Sequence, residues 1–118
     1  MPDGDCLFCR IVAGEVPADV VHATDRTVAF RDIQPQAPVH VLVVPRRHVA
    51  HAGLLTEEHA EDLAAMFAAA RAVAEAEGIA GAERGYRLVL NVGRDALNSV
   101  PHLHLHVIGG RQMTWPPG

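Results

Sequence analysis

Between residues 102 and 108 the chain reads His-Leu-His-Leu-His-Val-Ile, and no other stretch restricts the fold so tightly. Histidine and a large apolar residue alternate without a break. In an extended strand successive side chains point to opposite faces, so residues at i, i+2 and i+4 share one side. The spacing predicts a strand over 102–108. His102, His104 and His106 would line one face, ~6.5 Å apart, with Leu103, Leu105 and Val107 entering the core behind them. A helix would scatter the same residues around its axis. A half-exposed strand that uses histidine as its polar residue explains one such side chain, not three in register. Two kinds of chemistry suit the face: a metal site, or a phosphate-handling site with a histidine nucleophile.

The rest of the composition narrows the class. A chain of 118 residues, 49% apolar and 20% charged, has the size and balance of one globular domain around one core. The formal net charge of −4, with no lysine, argues against nucleic-acid binding, which needs clustered cations. No apolar run approaches the ~20 residues that span a membrane, and the polar start from Met1 to Asp5 does not read as a signal peptide. A soluble, cytoplasmic protein is expected. The two cysteines, Cys6 and Cys9, form one C-x-x-C pair, which is no secreted disulfide framework. A redox pair usually follows a strand and opens a helix, and too little chain precedes this one. Half of a zinc site, completed by histidines from elsewhere, fits better; the redox reading stays open.

Along the chain, Cys6 to Ala13 suits a short helix with Asp5 as N-cap and Gly14 beyond its end. Val20–His22 and Thr27–Phe30 read as short strands joined by a turn at Thr24–Arg26. Two prolines make Asp32–Pro38 an ordered loop. Val39–Val44 is apolar apart from His40 and looks like a central strand buried on both faces. One long helix should run from Thr56 as N-cap to Gly78. Its core stripe would be Leu63, Met66, Phe67, Ala70, Val73 and Ala74, with His59 solvated. Tyr86–Val92 is a further strand. The loop Gly93–Pro101 then feeds the histidine strand, a good place for backbone N–H groups to meet a phosphate.

These residues resemble a known family. His102–Ile108 matches the histidine triad (HIT) pattern His-φ-His-φ-His-φ-φ, φ being apolar, at every position. Phe30-Arg31-Asp32-Ile33 with the following Gln34–Pro38 and His40 resembles a second signature of that family. The tail Gly109–Met113 with Trp115–Gly118 is similar to the Hint branch, and the likeness runs from Cys6 to Gly118. It implies one HIT domain over residues 1–118. The implied fold is α+β: a five-stranded antiparallel sheet with one long and one short helix, in a homodimer whose two sheets become continuous. The implied activity is hydrolysis of purine nucleoside 5′-phosphoramidates through a nucleotidyl-histidine intermediate.

Carried over by position, His104 is the nucleophile, His106 contacts the α-phosphate and leaving group, and His40 completes a histidine chain. Asn91 and Ser99 reach the phosphate region. Asp32 accepts both ribose hydroxyls, as an ionised, acceptor-only group can. Phe8, Ile11, Phe30 and Ile33 surround the base; from composition alone all four would be core. Leu97 and Asn98 stand where the branch usually has Gly and Gln, which puts this loop's backbone contacts to phosphate, and the rate, in question. The tail, with Trp115, is expected to shape the leaving-group pocket of the neighbouring protomer.

Cys6, Cys9, His48 and His102 match the positions of a zinc in some bacterial relatives. Two thiolates and two imidazoles make a closed tetrahedral site, hence a structural zinc with no metal required for chemistry. Three other readings compete. Hydrolysis of dinucleoside polyphosphates belongs to a sister branch, and the Trp115 tail speaks against it. A nucleotide-binding regulatory module with little turnover has only Leu97 in support. A catalytic zinc on His102, His104 and His106 leaves Cys6, Cys9, His40 and Asp32 unexplained.

Overall fold

In the computed structural model, which describes residues 5–118, the run Val39–Pro45 (β3) is buried at all seven positions. Of the polar start discussed above, residues 1–4 lie outside the described residues. An apolar run with no exposed face needs a neighbour on every side, and β3 has them. Thr27–Arg31 (β2) pairs along one edge and Leu105–Gly109 (β5) along the other, both antiparallel. Val20–Ala23 (β1) and Tyr86–Val89 (β4) complete a five-stranded antiparallel sheet of order β1-β2-β3-β5-β4. The expected α+β architecture is the observed one.

Strand alternation divides the core in two. Val41, Val43, Leu105 and Val107 face the long helix Ala60–Ala76 (α2), while Leu42, Val44, Val28 and Phe30 face the short helix Leu7–Val12 (α1) with Phe8 and Cys6. Thr56 opens the long helix as expected, through one 3₁₀ turn over Glu57–His59. His59 is not simply solvated: its Nδ1 accepts the Thr56 N–H at 2.9 Å, completing a capping box with the Thr56 side chain. Gly78 follows the helix with φ +77°, a conformation a Cβ disfavours. Met66, Ala70, Val73 and Ala74 are buried as expected, joined by Ala69. Phe67 is 42% exposed because it lies ~100° round the helix from Met66.

Three differences from the expected boundaries bear on the site. Cys6, not Asp5, caps α1, because its Sγ accepts the Cys9 N–H at 3.3 Å. The strand β4 stops at Val89 rather than Val92, opposite His106 and one residue short of where β5 itself begins. The histidine strand begins at Leu105, not His102. The register that sets Val43 opposite Leu105 would bring Pro45 opposite Leu103. Proline has no N–H to give the ladder, and the Pro45 carbonyl is taken by the His102 ring at 2.9 Å.

Candidate functional site

That early end to the ladder separates the three histidines. Residues 102–104 turn out of the sheet, so the rings do not form one evenly spaced row. His102 is fully buried and turns its Nδ1 toward Cys6 Sγ and Cys9 Sγ, each at 3.3 Å, and toward His48 Nδ1 at 3.2 Å. Cys9 Sγ lies 3.2 Å from His48 Nδ1, and all four donor atoms lie within 4.8 Å of one another. Because a carbonyl only accepts, the bond to Pro45 places the His102 proton on Nε2 and leaves Nδ1 as a lone pair. Tetrahedral Zn–N of 2.0–2.1 Å and Zn–S of 2.3 Å require donor separations of roughly 3.3–3.8 Å. The four expected ligands fit such an ion with little movement, and the carbonyl behind His102 is the orienting partner a ligating imidazole needs. No position is left open for substrate.

His104 is oriented the opposite way. Its Nδ1 donates to the His102 carbonyl at 2.7 Å, so its Nε2 carries the lone pair. Phe8 stands edge-on to this ring, centroids 5.1 Å apart. His40, 5% exposed, accepts the Gln36 N–H on Nδ1 at 3.0 Å and therefore holds its proton on Nε2. That Nε2–H donates to His106 Nδ1 at 2.9 Å, with Asp32 Oδ2 at 3.4 Å. His106, having accepted on Nδ1, carries its own proton on Nε2; the Asn91 atom 3.4 Å away is Nδ2, itself a donor, so this N–H is not taken up by Asn91. Burial lowers the pKa of both rings. His106 falls to about 4, helped by the neighbouring His104 and His40 and opposed by Asp32. A bare nitrogen on His104 thus lies beside a fixed N–H on His106, ring centroids 5.0 Å apart.

Both rings open into a cavity of about 640 Å³, within the usual size of small-molecule sites. Asn91, Ser99, Leu97, Asp32, Phe8, Ile11, Phe30 and Ile33 line it with them. Phe8 and Phe30 are core residues as well, in edge contact at 5.4 Å. Ile33 is not: it is 94% exposed. Asp32 Oδ1 accepts the Gln34 N–H at 2.8 Å, which orients the carboxylate and leaves it further acceptor capacity. Asn98 and Trp115 do not line the cavity; Trp115 is 81% exposed and lies 5.8 Å from the Arg87 guanidinium. Leu7, Leu42 and Val100 also line it. They escaped the sequence reading because an apolar residue lining a slot has the same pattern as one in a core.

The three-histidine catalytic metal site is corrected by this geometry. Among the described residues His102 groups with Cys6, Cys9 and His48, while His106 groups with His40 and Asp32. No metal-sized cluster holds all three triad rings, because the backbone turn at 102–104 points His102 away.

Residues 13–113 match the HIT domain family. The chain belongs to the HIT family. Its relatives place it in the Hint branch. The adenylylsulfatase HINT1 of Arabidopsis thaliana is 43% identical over 118 residues, 98% of this chain and 78% of that protein. A 14 kDa zinc-binding protein of Brassica juncea is also 43% identical, over 97% of this chain and 100% of its own. The crystal structure of a HIT family hydrolase from Legionella pneumophila Philadelphia 1 superposes with a TM-score of 0.92 at 48% identity, covering 97% of this chain and 100% of that one.

One departure from the HIT pattern now has a conformation. Leu97 lies in the left-handed region, φ 63°, with its side chain 84% exposed. That region explains the glycine expected there and costs an L-residue roughly 1–2 kcal/mol. The Leu97 N–H donates to the Arg94 carbonyl at 2.9 Å and the Asn98 N–H to the Gly93 carbonyl at 3.1 Å. Both amides are committed within the turn.

Proposed function

We propose that this HIT protein hydrolyses purine nucleoside 5′-phosphoramidates, with His104 as nucleophile. The observation that carries the reading is the pair of opposed tautomers, a lone pair on His104 Nε2 beside a proton on His106 Nε2. In the first step His104 Nε2 attacks the α-phosphorus, the P–N bond breaks, and the departing amine takes a proton from solvent. Meanwhile His106 Nε2–H bonds a phosphoryl oxygen, so charge developing in the transition state meets a donor already in place. In the second step water attacks the same phosphorus, releases its proton to solvent, and returns the lone pair to His104 as the P–N(His) bond breaks. Asn91 and Ser99 hold the phosphoryl oxygens, Asp32 the ribose, and Phe8, Ile11, Phe30 and Ile33 the base.

The Arabidopsis relative's name favours a second substrate, adenylyl sulfate. The attack would be the same, with sulfate leaving unprotonated. In either case zinc on Cys6, Cys9, His48 and His102 is structural, tying α1 and the end of β3 to the turn before β5. A homodimer through the free edge of β4 fits the exposure of Leu88 on that strand, and one domain covers the chain.

The test is nucleotide release from adenosine 5′-monophosphoramidate and from adenylyl sulfate, by wild type and His104→Ala, with and without brief chelation. Turnover that resists chelation and is lost in His104→Ala is expected. Turnover that survives His104→Ala refutes the nucleophile, and AMP binding without turnover of either substrate leaves a binding module.

A further inference from the structure

Asp32 directly follows β2 and stands between the cavity and the histidine chain. Its backbone N–H donates to the His40 carbonyl at 3.0 Å, which sets the two residues side by side. The Gln34 N–H holds Oδ1 at 2.8 Å, so the other oxygen, Oδ2, is the one turned toward His40 Nε2 at 3.4 Å. Asp32 also lines the cavity. One carboxylate therefore meets both the histidines and whatever fills the cavity.

His40 has one proton to give and two acceptors close to it. Burial lowers its pKa and that of His106, so near neutral pH both rings are uncharged, with one N–H each. The Gln36 N–H occupies His40 Nδ1 and leaves that proton on Nε2. From there it bonds His106 Nδ1 at 2.9 Å, while Asp32 Oδ2 at 3.4 Å lies just beyond bonding range. An ionised acceptor makes the stronger hydrogen bond of the two. A small rotation that brings His40 Nε2 and Asp32 Oδ2 together takes the donor away from His106. Nothing then favours Nε2 over Nδ1 as the place for the His106 proton, and the N–H meant for a phosphoryl oxygen is lost from part of the population.

We propose that the ribose hydroxyls of the substrate set the His106 tautomer, by donating to Asp32 Oδ2 and so weakening it as a rival acceptor for the His40 N–H. Asp32 is then a positioning residue that acts through His40, in addition to any contact it makes with the sugar. The substrate class narrows accordingly to conjugates of ribonucleosides. A sugar without hydroxyls fits the same slot but leaves the competing oxygen open. The inference rests on the nucleotide reading of the cavity, yet the tautomer exists without turnover, so it and the hydrolase reading can fail separately.

The experiment has two arms on the intact, metal-loaded protein. In the first, ¹⁵N NMR of the His106 ring follows titration to saturation with adenosine or with 2′,3′-dideoxyadenosine, neither of which has a phosphate to touch His106. Adenosine should move the Nε2 signal toward the protonated position and the Nδ1 signal toward the unprotonated one. Dideoxyadenosine should leave both in place. This arm needs no variant and no turnover. In the second, adenosine 5′-monophosphoramidate is compared with its 2′,3′-dideoxy analogue in wild type and in His40→Phe. With the analogue, wild type should lose about tenfold in kcat, the effect of one hydrogen bond, apart from any rise in KM. His40→Phe has no N–H for Asp32 to attract, and should process the two substrates with kcat values within about twofold of each other. A penalty confined to KM, or the same kcat penalty in His40→Phe, overturns the proposal, because a plain sugar contact gives both. Adenosine that fails to bind, or that moves the His106 signals no further than dideoxyadenosine does, overturns it as well. A protein without turnover that still shows the adenosine shift bears out the tautomer coupling and refutes only the hydrolase reading.

Discussion

His102 and His104 are two residues apart and chemically identical, yet they do opposite things. The His102 ring gives its Nε2 proton to Pro45 O and aims a bare Nδ1 at two cysteines and His48. The His104 ring gives its Nδ1 proton to the His102 carbonyl and presents a bare Nε2 to the cavity. What separates them is which nitrogen finds a backbone carbonyl, and that follows from where the β3–β5 ladder stops. A histidine's role is thus set by the acceptor behind it, in addition to its position in the motif.

The most direct attempt to break this contrast exchanges the damage. His104→Ala should lower kcat by on the order of 10⁴-fold or more, as removal of a nucleophile does, with metal content and Tm near wild type. His102→Ala should release the metal. Zinc analysis beside single-turnover assays reads both, and a His102→Ala protein that still holds one zinc per chain removes the basis of the comparison.

Cys9→Ser extends the test to the metal end. Cys9 Sγ approaches both imidazoles of the cluster, and loss of a structural metal removes binding energy that is also folding energy. The expected fall in Tm is about 6–12 °C, taking ~2 kcal/mol and the usual size scaling. The kcat of the fraction still folded should stay within about threefold of wild type. Activity lost well below the unfolding transition would instead give the metal a part in the chemistry.

Much of this was legible in the sequence, for identifiable reasons. A nearly unbroken apolar run marked β3, alternation marked the apolar backs of Leu105 and Val107, and Thr56 and Gly78 marked the long helix, because these signals are local. The set Cys6, Cys9, His48 and His102 and the histidine chain came from the family resemblance, and the structure brings Cys6, Cys9, His48 and His102 together, and His40, His106 and Asp32 together. What escaped was set by contacts distant in sequence. Pro45, which ends the ladder opposite Leu103, follows directly on the strand read over Val39–Val44, and nothing local marks its effect on a strand about sixty residues away. His59 looked solvated because a capping side chain and a surface one have the same pattern. The conformation of Leu97 could not be read from a leucine, which gives no sign of positive φ.

A smaller effect is expected one step along the histidine chain. His40 touches no reacting atom in the proposed reaction; it donates to His106 from a tautomer set by Gln36. His40→Phe fills the buried position without the hydrogen bond and should lower kcat roughly 10²-fold, the lower end for general acid–base contributions, with KM little changed. A fall in kcat/KM carried by a rise in KM, with kcat unchanged, would place His40 in binding instead.

The same chain predicts how stability follows pH. His106 has a native pKa of about 4 against an ordinary 6.5, so the unfolded chain takes up a proton at higher pH than the native one. The stability linked to its neutral form is complete above 6.5, declines as pH falls from 6.5 toward 4, and declines no further below that. His40, also lowered, acts in the same direction. Urea midpoints at pH 7.5, 5.5 and 4.5 should therefore fall less steeply for His106→Gln than for wild type. Equal slopes would mean that His106 is protonated at the same pH in both states.

The smallest effect belongs to Leu97, and it separates backbone from side chain. Leu97→Gly relieves an unfavourable φ of 63°, worth roughly 1–2 kcal/mol. It also gives the unfolded chain more freedom, which offsets ~0.4–1 kcal/mol of that gain. The net should be a stabilisation of at most about 1.6 kcal/mol, measured by urea unfolding. Turnover should change still less, because the Leu97 and Asn98 amides already donate within the turn and a glycine would not free them. A rise in kcat of tenfold or more in Leu97→Gly would mean that the exposed leucine obstructs the mouth of the cavity. The departure from the family pattern would then be a brake on the reaction, whereas an unchanged kcat makes it a local strain that this loop tolerates.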